Sequence, residues 1–82
     1  MNKFSIVGKC LNITKLDSNK YIINIISNSP MHKNITIPIR ISKSNYINKI
    51  KENDLLGING IIDIQDSDIV FVASKVIWLP EK

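Results

Sequence analysis

The residues best suited to bind a ligand in this sequence are its cations. The chain carries eleven lysine and arginine residues against seven aspartate and glutamate residues, which gives a net charge of +4 at pH 7. A modestly basic small domain favours an anionic partner such as nucleic acid. The only arginine is Arg40, whose guanidinium can both pair with a phosphate and stack on a base, and we expect it to be central to any such site. The other candidate cations are Lys3, Lys9, Lys15, Lys20 and Lys33.

Aromatic side chains are scarce. Single strands of nucleic acid are bound by a positive groove together with aromatic rings that stack on the bases, and the chain has five such rings. Tyr21 and Phe71 are the candidates for stacking, and packing at the edge of the core is the alternative for each. Phe4 and Trp78 are expected in the core, and Tyr46 is expected to plug one end of it.

The sequence offers little for catalysis or for metal binding. His32 is the only histidine and has no cysteine near it, whereas metal sites need clusters of Cys, His or carboxylate ligands. Asp63, Asp66 and Asp68 surround a predicted turn, where aspartate is favoured for backbone reasons. Cys10 fits a small buried filler better than a nucleophile. We therefore expect no enzymatic activity, no metal and no cofactor.

Composition bounds the size and the compartment. A length of 82 residues is enough for one domain, and an apolar content of 44% is that of a folded protein. A single cysteine rules out an internal disulfide, which fits a reducing compartment. No signal-peptide pattern opens the sequence, and no apolar run approaches the roughly 20 residues that span a bilayer. We expect one soluble, cytoplasmic domain over residues 1–82.

The elements that must position these side chains are mostly strands. Eighteen residues are isoleucine, whose β-branched side chain suits strands. The predicted strands are Lys3–Ile13, Tyr21–Ser27, Ile35–Ile41, Leu55–Gln65 and Ile69–Leu79. A short helix over Asn45–Lys51, capped by Ser42 or Ser44, is predicted between the third and fourth strands.

Alternation of apolar and polar residues gives the faces of these strands, because side chains in a strand point to opposite faces in turn. In the third strand the expected inward residues are Ile35, Ile37, Ile39 and Ile41. In the fourth strand they are Leu56, Ile58, Ile62 and Ile64. Gly8 predicts a bend or a close backbone approach, Pro38 predicts an exposed or bulged point, and residues 65–68 predict a tight hairpin.

Five strands with one helix between the third and fourth are the arrangement of the OB-fold. Closure into a barrel removes exposed strand edges, which favours a barrel for so short and strand-rich a chain. The predicted fold class is therefore all-β, a five-stranded OB-fold barrel with one short helix between strands 3 and 4. In such folds the second and third strands and their flanking loops form the binding face, and Arg40 falls on that face.

Three segments resemble the bacterial single-stranded DNA-binding protein family. They are residues 1–9 (MNKFSIVGK), residues 55–60 (LLGING) and residues 72–79 (VASKVIWL). All three occur in the order and spacing of that family. The chain also resembles the related primosomal replication protein, a dimeric OB-fold of similar length. The resemblance implies single-stranded DNA binding with low sequence specificity, in DNA replication, recombination or repair, by a homodimer or a homotetramer.

Two departures from the family bear on this expectation. The family usually places a Trp in the third strand as a base-stacking platform, and residues 37–41 here contain no aromatic residue. The family's acidic tail, which recruits replication partners, is not expected, because the sequence ends at Lys82. Three alternatives stay open: a primosome-like accessory protein that contacts a replication partner, an RNA-binding barrel, and a protein-interaction module without nucleic-acid binding.

Overall fold

The strands of this protein close into a barrel. The computed structural model describes residues 2–27, 35–42 and 46–80. Its strands are β1 (Lys3–Lys15), β2 (Lys20–Ser27), β3 (Thr36–Ser42), β4 (Leu55–Gln65) and β5 (Asp68–Trp78). They follow one another around the barrel in the order β1-β2-β3-β5-β4. The five predicted strands are confirmed, and each end lies within two residues of its predicted position.

Two kinds of strand pairing close the barrel. β1 pairs in antiparallel fashion with β2 and β4, β2 with β3, and β4 with β5. β3 and β5 pair in parallel at Ile39–Phe71 and Arg40–Val72. One extra residue interrupts the β1–β2 register at Leu11, and another interrupts the β4–β5 register at Ser74. Such bulges bend a strand and increase its twist, which lets the sheet curl over its core.

The core is built mainly from isoleucine on the inward faces of the strands. Its fully buried residues are Cys10, Ile23, Ile25, Ile39, Leu56 and Ile58. Each of these side chains contributes about 1.5–3 kcal/mol when it leaves water. Ile47 and Ile50 add two buried side chains from the segment between β3 and β4. The predicted burial of Cys10 is confirmed, as is the inward face of β3 from Ile37 to Ile41, whereas Ile35 before the strand is exposed.

The predicted helix over Asn45–Lys51 is wrong for the residues that the structure describes there, 46–51. The amides of Lys49 and Ile50 both donate to the carbonyl oxygen of Tyr46, at 3.0 and 3.1 Å, and this single turn does not continue. So short a segment cannot offset the cost of helix nucleation, and asparagine is a poor helix former. Asn53, with a φ of 74°, instead redirects the chain toward β1, where its amide donates to the carbonyl of Cys10.

The predicted hairpin between β4 and β5 is confirmed as a two-residue turn. Gln65 pairs with Asp68, and the two residues between them, Asp66 and Ser67, have φ angles of 51° and 67°. Positive φ at both central residues defines the type I′ turn, whose twist matches that of the flanking strands. The inward position predicted for Ile64 is wrong. This residue lies on the hairpin beyond the end of the barrel, opposite Ile69, and is 72% exposed.

The core position predicted for Trp78 is wrong, because this ring lies at the surface beside that of Tyr46, the residue predicted to plug one end of the core. Both rings are more than a third exposed. They pack against each other at the other end of the barrel, with ring centroids 6.3 Å apart. The indole N–H of Trp78 donates to a carboxylate oxygen of Asp54 at 3.1 Å, which holds the ring at this edge of the barrel. Phe4 is half-buried against the core, in agreement with its prediction.

Gly8 lies where β1 passes closest to β2. A Cβ atom at this position would overlap the carbonyl oxygen of Ile26 and the side chain of Ile25. The predicted close backbone approach is therefore confirmed. Gly57 on β4 differs, because a Cβ atom there would make only ordinary contact with Leu79, at 3.7 Å.

We predict that Gly8→Ala destabilises the barrel by about 2–3 kcal/mol, because the added methyl group must displace the backbone of β2. Gly57→Ala is the matched control and should change the free energy of unfolding by less than about 0.5 kcal/mol. Urea denaturation followed by far-UV circular dichroism measures both. Equal stability of the two variants would contradict the close packing of β1 on β2.

Candidate nucleic-acid interface

The outward face of β2 and β3 carries the strongest candidate site. In the register of these strands Ile22 pairs with Arg40, Asn24 with Pro38, and Lys20 with Ser42. Because Ser42 lies two residues from Arg40 on the same face, Lys20 and Arg40 are diagonal neighbours, whose Cβ atoms are about 7–8 Å apart or less. Both residues border one small pocket of about 80 Å³. The strand pairing therefore brings two of the predicted cations together.

A larger groove lies between this face and the β4–β5 hairpin. Its volume is about 340 Å³. The residues that line it are Ile22, Pro38, Arg40, Asp68, Ile69, Val70 and Phe71. Pro38 has no amide hydrogen to donate, and it lies just before the short parallel contact between β3 and β5. The strands separate at this point, and the exposed position predicted for Pro38 is confirmed.

Arg40 is held in place by the hairpin. Its Nη1 donates a 2.7 Å hydrogen bond to Oε1 of Gln65, and Nε2 of Gln65 faces Oδ2 of Asp63 at 3.4 Å. Within the described ranges Arg40 forms no ion pair with a carboxylate. A guanidinium has five N–H donors, so most of them stay available to a ligand. The arrangement orients the cation and leaves its charge uncompensated by a direct partner.

Polar side chains extend this face onto β1. Nδ2 of Asn24 donates to Oδ1 of Asn12 at 2.6 Å and approaches Oγ1 of Thr14 at 3.4 Å. Asn24 lies on the outward face of β2, between the buried Ile23 and Ile25. Lys9 lies on the outward side of β1 beside Ile26, about 13 Å along β2 from the Ile22–Arg40 pair at 3.3 Å per residue. Lys9 can therefore contact only a ligand that runs along the strands.

The other predicted cations lie elsewhere. Lys3 pairs with Ile61 of β4, in the part of β1 that does not pair with β2, so it lies three strands from Arg40 around the barrel through β4 and β5. Lys15 lies at the end of β1, opposite Tyr21, and is exposed. Lys33 falls outside the described residues.

The two predicted stacking rings are both half-buried. Tyr21 packs against the core cluster from the inward side of β2. Phe71 also contacts the core and meets Phe4 edge-on, with ring centroids 5.3 Å apart and an interplanar angle of 75°, but it borders the groove as well. Phe71 is thus the predicted ring that the structure brings next to Arg40.

The charges are distributed unevenly along the chain. Residues 1–43, which include β1, β2 and β3, contain seven of the eleven basic residues and one of the seven acidic residues. Residues 44–82 contain four basic and six acidic residues. The total charge of the chain does not show this difference between its two halves. Clustered basic residues on one side of a domain are the electrostatic signature of a nucleic-acid surface.

Chemically reactive groups are few in the described part of the chain. Burial raises the pKa of the Cys10 thiol, and the nearby carboxylates of Asp54 and Glu52 raise it further. A thiol of this kind is a poor nucleophile, because the thiolate is the reactive form. Among residues 2–27, 35–42 and 46–80 no three His, Cys, Asp or Glu side chains are grouped to hold a metal ion. No helix in these ranges is long and apolar enough to cross a membrane.

Comparison with known proteins supports the fold. No protein-family model and no curated protein sequence matches the chain. Among solved structures, the chain is similar to the dimeric N-terminal domain of the PriB protein from Thermoanaerobacter tencongensis. The TM-score is 0.71 over 98% of each chain, with 17% sequence identity. At this identity the likeness shows that the two chains share a fold.

The distance between the groove and Trp78 gives a spectroscopic prediction. Trp78 lies seven residues along β5 from Phe71, about 20 Å away. We predict that a single-stranded oligonucleotide bound in the groove leaves the intrinsic fluorescence of Trp78 unchanged within about 10%, because stacking requires direct ring contact. Acrylamide, which reaches exposed rings, should quench the same fluorescence. Strong quenching by the oligonucleotide would place the bound strand at the Tyr46–Trp78 end of the barrel instead.

Proposed function

We propose that this protein binds single-stranded DNA with low sequence specificity along the outward face of β2 and β3. The observation that carries the proposal is that Lys20 and Arg40 border the same pocket of about 80 Å³, with no carboxylate bound to either cation in the described residues. Phosphates supply the missing countercharge. We propose a binding role without enzymatic activity.

The composition of the groove also supports a single strand over a duplex. Ile22, Pro38 and Phe71 present apolar surface next to Arg40. Bases of a single strand can turn toward such surface, whereas the bases of a duplex are stacked inside it. Since no aromatic ring stands fully exposed on β3, stacking contributes less here than the roughly 1–3 kcal/mol per base that exposed rings provide. We therefore expect moderate affinity with a large electrostatic component.

Self-association would extend the binding surface. The structurally similar PriB domain is dimeric, and we propose that this chain also forms a homodimer. Two linked grooves raise the apparent affinity for a long strand without any new contact, because the second binding event becomes intramolecular. A role in DNA replication, recombination or repair follows from the same proposal. An accessory protein that also contacts a replication partner differs only in having a second surface.

Fluorescence anisotropy with a labelled oligo-dT tests the proposal directly. We expect a dissociation constant in the micromolar range or below at low salt, weaker binding at higher salt, and poor binding of a duplex of equal length, because phosphate contacts release counterions. An oligo-U of equal length tests the RNA alternative. If none of these nucleic acids binds at low salt, the protein-interaction alternative replaces the proposal.

Single charge removals locate the binding face. We predict that Lys20→Ala weakens oligo-dT binding and lowers the slope of log affinity against log salt by about 0.7, the value for one phosphate contact with a single strand. Lys75→Ala is the matched control, because Lys75 pairs with Asn59 on the β4 side of the barrel and is exposed there. Equal losses in both variants would indicate general charge attraction and contradict a site on β2 and β3.

A further inference from the structure

We propose that the groove between β3 and the β4–β5 hairpin is a nucleobase pocket that prefers guanine, read by Arg40 and Asp68. This inference rests on the proposed binding of single-stranded DNA and adds one base preference to an otherwise sequence-tolerant surface. It starts from the two charged side chains of opposite sign that line the same groove.

The two groups lie near each other without pairing. Gln65, which accepts the 2.7 Å hydrogen bond from Arg40, is the direct cross-strand partner of Asp68 in the hairpin. Gln65 therefore links the two residues, because it is the hydrogen-bond partner of Arg40 and the strand-pairing partner of Asp68. Within the described residues they form no ion pair, and the side chain of Asp68 accepts no hydrogen bond. The groove therefore presents the N–H donors of the Arg40 guanidinium and the two acceptor oxygens of the Asp68 carboxylate to a ligand.

The carboxylate distinguishes this groove from a simple phosphate site. A phosphate next to Asp68 would be repelled, whereas a neutral base that donates hydrogen bonds would be attracted. The walls suit the faces of a base, since Ile22, Pro38 and Ile69 are apolar. The volume of about 340 Å³ exceeds what one purine needs and leaves room for its sugar. The groove thus fits a base better than it fits the backbone.

Guanine matches the two charged groups more fully than the other bases do. Its O6 and N7 accept a bidentate pair of hydrogen bonds from arginine, and its N1–H and N2–H can donate to the two oxygens of a carboxylate. Adenine places an amino donor where the guanidinium needs an acceptor. Cytosine offers one donor beside two acceptors, and thymine offers one donor flanked by single acceptors. Arg40 and Asp68 together therefore favour guanine over adenine.

A host–guest series tests this ranking. The probe is a labelled dT octamer, a length within the span that one OB-fold binds, with dG, dA or dC at its centre. We expect the dG octamer to bind about tenfold or more tightly than the dA octamer, because one good bidentate pair discriminates by about that factor. The two purines have similar size and stacking surface, so their ratio isolates the hydrogen-bonded edge.

Two substitutions assign the preference to the proposed residues. Asp68→Asn should reduce the dG-to-dA ratio, measured on the same variant, to about twofold or less. Asp66→Asn, at the hairpin turn outside the groove, removes the same charge and should keep the ratio. Arg40→Lys keeps the positive charge and should lower the ratio of dG to dA affinity measured on the same variant, since lysine cannot form the bidentate pair.

The outcomes separate this inference from the proposed function. Equal binding of the dG and dA octamers, with dT binding intact, overturns the guanine pocket and leaves single-stranded DNA binding standing. A dG preference that survives in both Asp68→Asn and Arg40→Lys also overturns it, because the base is then read elsewhere. Failure of every octamer to bind removes the proposed function and the inference together.

Discussion

The short parallel contact between β3 and β5 is the feature on which the rest of the structure depends. The two strands pair at Ile39–Phe71 and Arg40–Val72 and diverge on either side of this contact. Without it the five strands would form an open sheet whose edges could pair with other chains. With it, the barrel closes around an isoleucine core, and the places where β3 and β5 separate become its surface depressions.

Both depressions follow from that divergence. On the hairpin side, β3 and β5 separate beyond Pro38, and the gap is the 340 Å³ groove that contains Arg40. On the other side the pairing ends after Arg40 and Val72, and a smaller pocket of about 120 Å³ opens beside Tyr46. The same constraint that closes the barrel thus positions the one arginine at the rim of a groove. A longer parallel ladder would close the groove and bury its polar groups.

Much of the fold could be predicted from the sequence, because alternation reports directly on burial in strands. The inward isoleucines of β3 and the glycine close approach at Gly8 are local consequences of residue type. The errors occur where packing at the ends of the barrel decides the outcome. Residues 46–50 form one turn because Ile47 and Ile50 are fixed by the core, and Ile64 is exposed because its strand continues past the barrel.

The candidate site was predictable in part. Arg40 and Lys20 could be named from their type and their nearness to the second and third strands, but their adjacency depends on a β2–β3 register that alternation alone does not give. The hydrogen bond between Arg40 and Gln65 joins residues 25 positions apart in the sequence, and no local sequence pattern predicts it. Asp68 likewise looks like an ordinary turn residue in the sequence. Its place in the groove depends on the packing of the hairpin beside β3, which the sequence pattern does not give.

The most direct test of the proposed binding face is a map of backbone amide shifts in a ¹⁵N-labelled sample during titration with oligo-dT. The account predicts that the largest shifts occur at Ile22, Arg40 and Ile69, which surround the groove, while Ser5, Asn59 and Lys75 on the β1–β4–β5 side stay unchanged. Shifts concentrated on the latter residues, or around Tyr46 and Trp78, would contradict it.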